Sequence, residues 1–381
     1  MKRIIYVGMD VHLSSYTMCC VEPSFKDEDK IFGHMRLEPS VSSVKLYLTK
    51  IAERINDPGR SIHFICGYEA GFIGYSLYHE MNAAGLTCVI LAPSTMPQHP
   101  GHRIKTDKRD AEHIAKSLAY GTYRAVHIPT AEDEQTRDYL RMRNDHQLAL
   151  KKVKQQINAF CLRLGKHYTS GRTKWSQAHL HWLRNMELPA LHREILDEYL
   201  TTYETTSTRI QAFDQRIEEL ASRDRYHEPV KQLSCFIGIK TYTALSLLAE
   251  TGDFTRFARA EHYASYLGLT PSEKSSGETT RRGNITRAGN TQMRTLLVEA
   301  AHCMARGRIG YKSKVLRKRQ EGNSPQVIAY ADHANERLRR KYYHMIRHGK
   351  KHSVTIVAIA RELACFIWGM MNGCLTARPA G

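Results

Sequence analysis

Short apolar runs of strand length recur through the first 130 residues, near 4–10, 16–22, 30–37, 62–68 and 87–91, with helical periodicity over 41–55, 75–84 and again after Asp107. Three consecutive strands, then helix and strand in alternation, predict a mixed α/β sheet covered by helices, with any site at an edge where strands end. Asp10 closes the run Ile4-Ile5-Tyr6-Val7-Gly8-Met9, and Glu69 follows Ile62-His63-Phe64-Ile65-Cys66. Carboxylates placed this way face a shared edge. Asp107 and Asp110, in KTDKRDA, stand three apart at a helix start, ~60° apart around the axis and ~4.5 Å along it, so they share one face.

Four carboxylates converging in a cleft repel one another and push pKa values upward unless a cation neutralises them. Hard oxygen donors favour Mg²⁺ or Mn²⁺ over zinc, and two such ions ~3.5–4 Å apart can clamp the attacking and leaving oxygens of a phosphoryl transfer. Phosphodiester chemistry is the leading reaction class. Taken singly, each acid has a plainer explanation, since Asp favours helix N-termini and acids often end strands. The strand order is that of a ribonuclease H-like fold, which places its first acidic residue at the centre of strand one.

The net charge of +18 implies a polyanionic partner, and it is unevenly spread: residues 226–381 hold 25 Lys+Arg against 11 Asp+Glu, whereas residues 1–225 hold 31 against 27. Such a surface binds with an affinity that falls steeply with salt, by about 0.9 in log–log slope per phosphate neutralised on duplex DNA. Nine cysteines without a CxxC pair signal neither a zinc site nor a disulfide framework. Met1-Lys2-Arg3 leads straight into the first strand without signal-peptide character, and Arg361-Glu362 interrupt the apolar stretch 354–375, so a cytoplasmic chain with no membrane span is expected.

From Glu132 to Lys166 the pattern is long-helical, and an apolar seam from Leu188 to Leu220 marks a second helix of about 33 residues, roughly 50 Å. An antiparallel coiled-coil arm that mediates oligomerisation is the expectation. The insertion between these helices, Thr169 to Glu187 with Trp175 and Trp182, carries no assignable chemistry. Beyond residue 226 short helices prevail. Residues 233–244, around Gly238, resemble a helix-hairpin-helix whose turn offers N–H groups to a phosphate, although a plain helix corner reads the same. Residues 268–278 read as a polar loop ahead of the basic run Arg281 to Asn290. A serine beside glycine there, near arginines that would hold non-bridging oxygens, suits a nucleophile facing a phosphodiester.

The segments GMDVH, YEAG, GHRIKTDKRDA, GLTPSEKSSGE, RRGNITRAGN and LLVEAAH, in that order over nearly the whole chain, resemble the insertion sequence 110 type of transposase, the DEDD recombinases that mobilise bacterial insertion sequences. The resemblance implies an α/β ribonuclease H-like (RuvC-like) domain over 1–130, a coiled-coil arm over 131–225 and a mainly α-helical transposase domain over 226–381. Asp10, Glu69, Asp107 and Asp110 fall on the family's metal-binding carboxylates and Ser276 on its nucleophile, with Ser275 its neighbour. Arg103, Lys105, Lys108, Arg109, Arg281, Arg282 and Arg287 are the expected nucleic-acid contacts. Also implied are a 5′-phosphoserine intermediate, donor and target DNA, a guiding bridge RNA, a tetramer whose subunits share active sites, and a bacterial, nucleoid-associated location. No RNA-recognition motif with stacking aromatics is legible, so the RNA rests on the resemblance alone. Three other readings stand beside it: a RuvC-like junction nuclease that uses only carboxylates and water, a non-catalytic nucleic-acid scaffold, and a sugar-kinase-like ATP binder, which the lack of glycine-rich phosphate loops disfavours.

Overall fold

Each apolar run of the N-terminal region forms a strand: β1 (Arg3–Val11), β2 (Tyr16–Glu22), β3 (Lys30–Leu37), β4 (Ile62–Glu69) and β5 (Thr87–Leu91). The computed structural model describes residues 2–24, 27–57, 59–97, 106–171, 173–276 and 279–375, with backbone alone over 274–276 and 279–282. Two compact units result, Met1–Ile128 and Pro129–Gly381.

In the first unit the sheet order is β3-β2-β1-β4-β5, so β1 is central. The short β1–β2 connection forces an antiparallel pair, whereas β4 and β5 run parallel to β1 because α1 (Val41–Ile55) and α2 (Ser76–Ala83) carry the chain back. Ile5, Val7 and Met9 bury one face of β1 against Val44, Leu48 and Ile51 of α1 and Met81 of α2. The opposite face receives α3 (Asp107–Tyr120). Its Ala111 and Ala115 sit directly on β1: a Cβ at Gly8 would stand 1.9 Å from the Ala111 carbonyl oxygen and 2.4 Å from the Ala115 nitrogen. A Cβ at Gly67 of β4, the register partner of Gly8, would stand 2.8 Å from the Leu118 side chain. Two glycines side by side therefore let a helix lie against bare backbone.

In the second unit α4 (Ala131–Arg163) and α6 (Ala190–Ala221) form an antiparallel hairpin. Tyr139 and His146 meet Phe213, Phe160 meets Tyr199, and Arg143 pairs with Asp214 at 2.8 Å. The aromatic insertion closes the end where the chain turns back. Trp175 lies 5.1 Å from the Tyr203 ring, and the buried His179 of α5 (Gln177–Arg184) stacks on Trp182. At the other end, Leu140, Ile217 and Leu220 run into the core formed by the helices that follow. These are α7 (Asp224–Leu233), α8 (Thr241–Thr251), α9 (Ala260–Tyr266), α10 (Thr291–Ala305), α11 (Lys314–Gln320), α12 (Pro325–Arg347) and α13 (His352–Met371). By length and composition α13 could cross a membrane, yet Ile359, Leu363, Phe366 and Ile367 are fully enclosed in this core.

One local feature differs from the sequence expectation, and another bears on a reading the sequence leaves open. Within the expected loop, residues 271–276 form a strand: β6 (Pro271–Ser276) pairs antiparallel with β7 (Thr279–Ile285). Its Ser, Glu, Lys and Arg composition lacks the apolar alternation by which a half-buried strand is recognised. The turn around Gly238 faces inward. A Cβ on Gly238 would be 2.6 Å from the Ala300 carbonyl oxygen, and the Ile237 N–H donates to Asn335 Oδ1 at 2.9 Å, so that N–H is committed within the core.

Asp133, in the first turn of α4, ties the hairpin to α7. Its buried carboxylate accepts from Tyr226 Oη at 2.6 Å and Arg225 Nε at 2.8 Å. Burial works to raise this carboxyl, but hydrogen bonds from Arg225 and Tyr226 outweigh it and hold it below the usual carboxylate range. Its stabilisation is complete above the unfolded-state pKa of about 3.9 and is lost as pH falls through the lower folded value. Asp133→Asn should therefore cost about 2 kcal/mol near neutrality, with the difference from the native chain shrinking below about pH 4; urea titrations at the two pH values read this directly. Gly8→Ala should lift α3 from β1, costing about 1–3 kcal/mol, seen as a lower melting temperature of the first unit; an unchanged melting temperature would contradict the contact.

Candidate active site

Strand alternation and the glycine pair together locate the acids. Residues two apart on a strand share a face, so Asp10 faces the same side as Gly8, and Glu69 the same side as Gly67. Because Gly8 and Gly67 are partners in register and the pairing ends at Met9 and Tyr68, Asp10 and Glu69 stand just beyond the last pair of β1 and β4, each on the α3 side of its strand. The seating of Ala111 and Ala115 on Gly8 then sets where the first turn of α3, with Asp107 and Asp110, can sit.

The result is a cluster at the end of β1. Ligand atoms of Asp10, His12 and Asp107 all lie within 4.8 Å of one another, and His12 Nε2 is 3.3 Å from Asp10 Oδ2. Burial raises the Asp10 pKa, His12 pulls it down, and the charges of Asp110 and Asp107 push it up again. Asp110 thus acts on Asp10 through its field. Glu69 is exposed at the same strand edge, outside that three-residue group. His12 was not singled out from sequence although it stands in GMDVH; its place just past the strand end, two residues from Asp10, was the available signal. Two carboxylates and an imidazole gathered with further acids beside them suit a divalent cation, which would remove the repulsion that raises Asp10. Cysteines offer no rival nucleophile here, since burial pushes the Cys19, Cys20 and Cys88 thiols up to about 12.

Of the expected nucleic-acid contacts, Lys108 and Arg109 are exposed on the first turn of α3, whereas Arg103 and Lys105 lie outside the described residues. Ser276 ends β6 in the second unit, where its backbone pairs with Thr279, and Lys274 pairs with Arg281. The side chains of Ser276, Arg281 and Arg282 also lie outside the described residues. Arg287 follows β7, exposed and in a left-handed conformation (φ 56°).

The foot of this ribbon is firmly held. A Cβ on Gly268 would be 2.1 Å from the Ala288 carbonyl oxygen, and one on Gly289 1.9 Å from that of Tyr266, so both crossing points require glycine. Asn290 caps α10 by accepting from Met293 N–H, and its Nδ2 donates to Glu250 at 2.7 Å. Glu250, buried on α8, is held in turn by Arg141 at 2.9 Å and Arg137 at 3.3 Å from α4. A buried carboxylate with three donors fixes the ribbon's root to the helical core.

Comparison with known proteins agrees with this organisation. Residues 7–164 match the model of DEDD transposases of IS110 type, and residues 230–315 match the model described as transposase IS116/IS110/IS902 family. The y4qE protein of Sinorhizobium fredii, named provisionally as a transposase, is 34% identical over 97% of this chain and 88% of its own length. The transposase for insertion sequence element IS1533 of Leptospira borgpetersenii is 30% identical over 92% of this chain and 99% of its own. The transposase for insertion sequence element IS1111A of Coxiella burnetii is 25% identical over 55% of this chain and 58% of its own. With carboxylates gathered at the end of β1 and full-length likeness to insertion-sequence transposases, the chain belongs to the IS110 family of transposases.

Proposed function

We propose that this transposase cuts and rejoins DNA strands through a covalent serine intermediate, with Asp10, Glu69, Asp107 and Asp110 serving a divalent cation, Mg²⁺ or Mn²⁺, and Ser276 as nucleophile. The observation that carries the reading is the convergence of Asp10, His12 and Asp107 at the end of β1, with Asp110 close enough to act on Asp10. Asp10, His12 and Asp107 would hold the cation, which supplies charge to a phosphodiester. Ser276 Oγ attacks the phosphorus, the P–O3′ bond breaks, and the 3′ oxygen takes up a proton, leaving a 5′-phosphoserine and a free 3′-hydroxyl. A 3′-hydroxyl of the exchanging strand then attacks the phosphoserine, and Ser276 recovers its proton. Arg281, Arg282 and Arg287 hold non-bridging oxygens beside the serine. Arg103, Lys105, Lys108 and Arg109 hold the strand beside the carboxylates.

In this reading the first unit is a RuvC-like ribonuclease H domain and the α4–α6 hairpin a coiled-coil arm of a tetramer. The carboxylates and the serine of one site come from different subunits, and a bridge RNA pairs with donor and target DNA in the bacterial nucleoid. The basic residues of 226–381 support a nucleic-acid partner.

On a denaturing gel the native protein should give a protein–DNA adduct, and Ser276→Ala none. Asp10→Ala should lower cleavage by about 10²–10³-fold or more with DNA binding retained. Cleavage without an adduct would instead mark a water-using nuclease, and discrete structured RNA should copurify if the guide is real. His12→Ala should weaken Mn²⁺ binding about tenfold or more, measured by paramagnetic resonance of the metal; unchanged affinity would remove His12 from the donor set.

A further inference from the structure

The second unit holds a cavity of about 300 Å³ whose charged lining is entirely cationic. Arg306, Arg308, Tyr311, Ser313, Arg319 and Arg339 contribute to its wall, and among the described residues no carboxylate does. Arg306 and Arg308 are exposed at its rim. Arg339 is only 7% exposed, and its guanidinium donates to the carbonyls of Met304, Arg308 and Tyr311 at 3.4, 3.0 and 2.7 Å. Gly307 makes room for it, since a Cβ there would stand 1.9 Å from Nη2. Arg319 donates through Nη1 to the Ile239 carbonyl, while its buried Nε finds no acceptor among the described residues.

Carbonyl acceptors orient these guanidiniums, and the Glu336 carboxylate acts on Arg339 only through its field, without a direct ion pair. Among the described residues, neither Arg319 nor Arg339 forms an ion pair with a carboxylate. Burial pulls both below the usual arginine range. Arginine nonetheless stays charged in proteins, and a buried cation calls for an anion. The Ser313 hydroxyl accepts from Leu316 N–H at 3.2 Å and keeps its own hydrogen to donate. Tyr311, 60% exposed, presents a ring at the mouth. The volume stands at the lower end of small-ligand sites, about 300–1,000 Å³, more than a bare oxyanion needs.

We infer that this cavity binds a phosphate group together with the sugar attached to it, gripped by the Arg319 and Arg339 guanidiniums and the rim arginines. The inference is independent of the cleavage reading, because it uses none of the carboxylates or Ser276. Its ligand has two sources, the backbone of a nucleic-acid strand or a free nucleotide.

Melting of the full chain in phosphate, in ribose 5-phosphate and in chloride at matched ionic strength tests the site. Both phosphates should raise the melting temperature of the native chain, raise it less in Arg308→Gln, and leave Arg319→Gln unmoved. Arg308 is exposed, so its substitution keeps the test sound if Arg319→Gln folds poorly. The salt dependence of binding to a labelled duplex then separates the sources. A log–log slope flatter by ~0.9 in Arg308→Gln assigns a strand phosphate, whereas an unchanged slope with the melting response intact assigns a free nucleotide. No response of the native chain to either phosphate, or equal responses in all three proteins, would overturn the inference.

Discussion

The contact on which the N-terminal unit depends is backbone against backbone, where α3 rests on β1 at Gly8. Any side chain at that position would collide with the Ala111 carbonyl, and the helix would ride higher. Since Asp107 and Asp110 occupy the first turn of that same helix, the height of α3 and the position of its carboxylates are one variable. The cluster is therefore set by hydrophobic and small-residue packing one or two turns away, and the acids themselves oppose it. Asp10, with its pKa raised by burial and by its acidic neighbours, records that opposition.

The second unit solves a different problem, how to hold a short polar ribbon at a defined place. Glycines at both feet permit close crossing, and Glu250 links the ribbon's exit, through Asn290, to arginines on the long helix α4. Asp133 performs a comparable task between α4 and α7. Both are buried acids with several donors each, an arrangement costly to break and strongly directional. The hairpin and the C-terminal helices consequently share a continuous core, reached by Leu140, Ile217 and Leu220.

Much of this organisation was legible beforehand, for identifiable reasons. The strands 16–22, 30–37 and 87–91 coincide with apolar runs, and α1 with a stretch of helical period, because burial of one face imposes a period on the sequence. The two long helices were visible through their seams in the same way. The β6–β7 ribbon escaped because its residues are polar on either period, and the segment around Trp175 and Trp182 because an aromatic plug has no period at all. His12 escaped because a histidine beside a strand end has many ordinary uses, and only the position of Asp107 gives it a partner.

Local pattern by itself determined which segments would be strands and helices, which carboxylates would stand at their ends, and that the chain would seek a polyanion, since each depends on residue type and near spacing. Tertiary structure alone decided that Gly8 and Gly67 would lie side by side, that His12 would join Asp10 and Asp107, and that Arg319 and Arg339 would line one cavity. Those outcomes depend on register and helix height, which arise from contacts between residues distant in the chain and leave no periodic trace within any one segment.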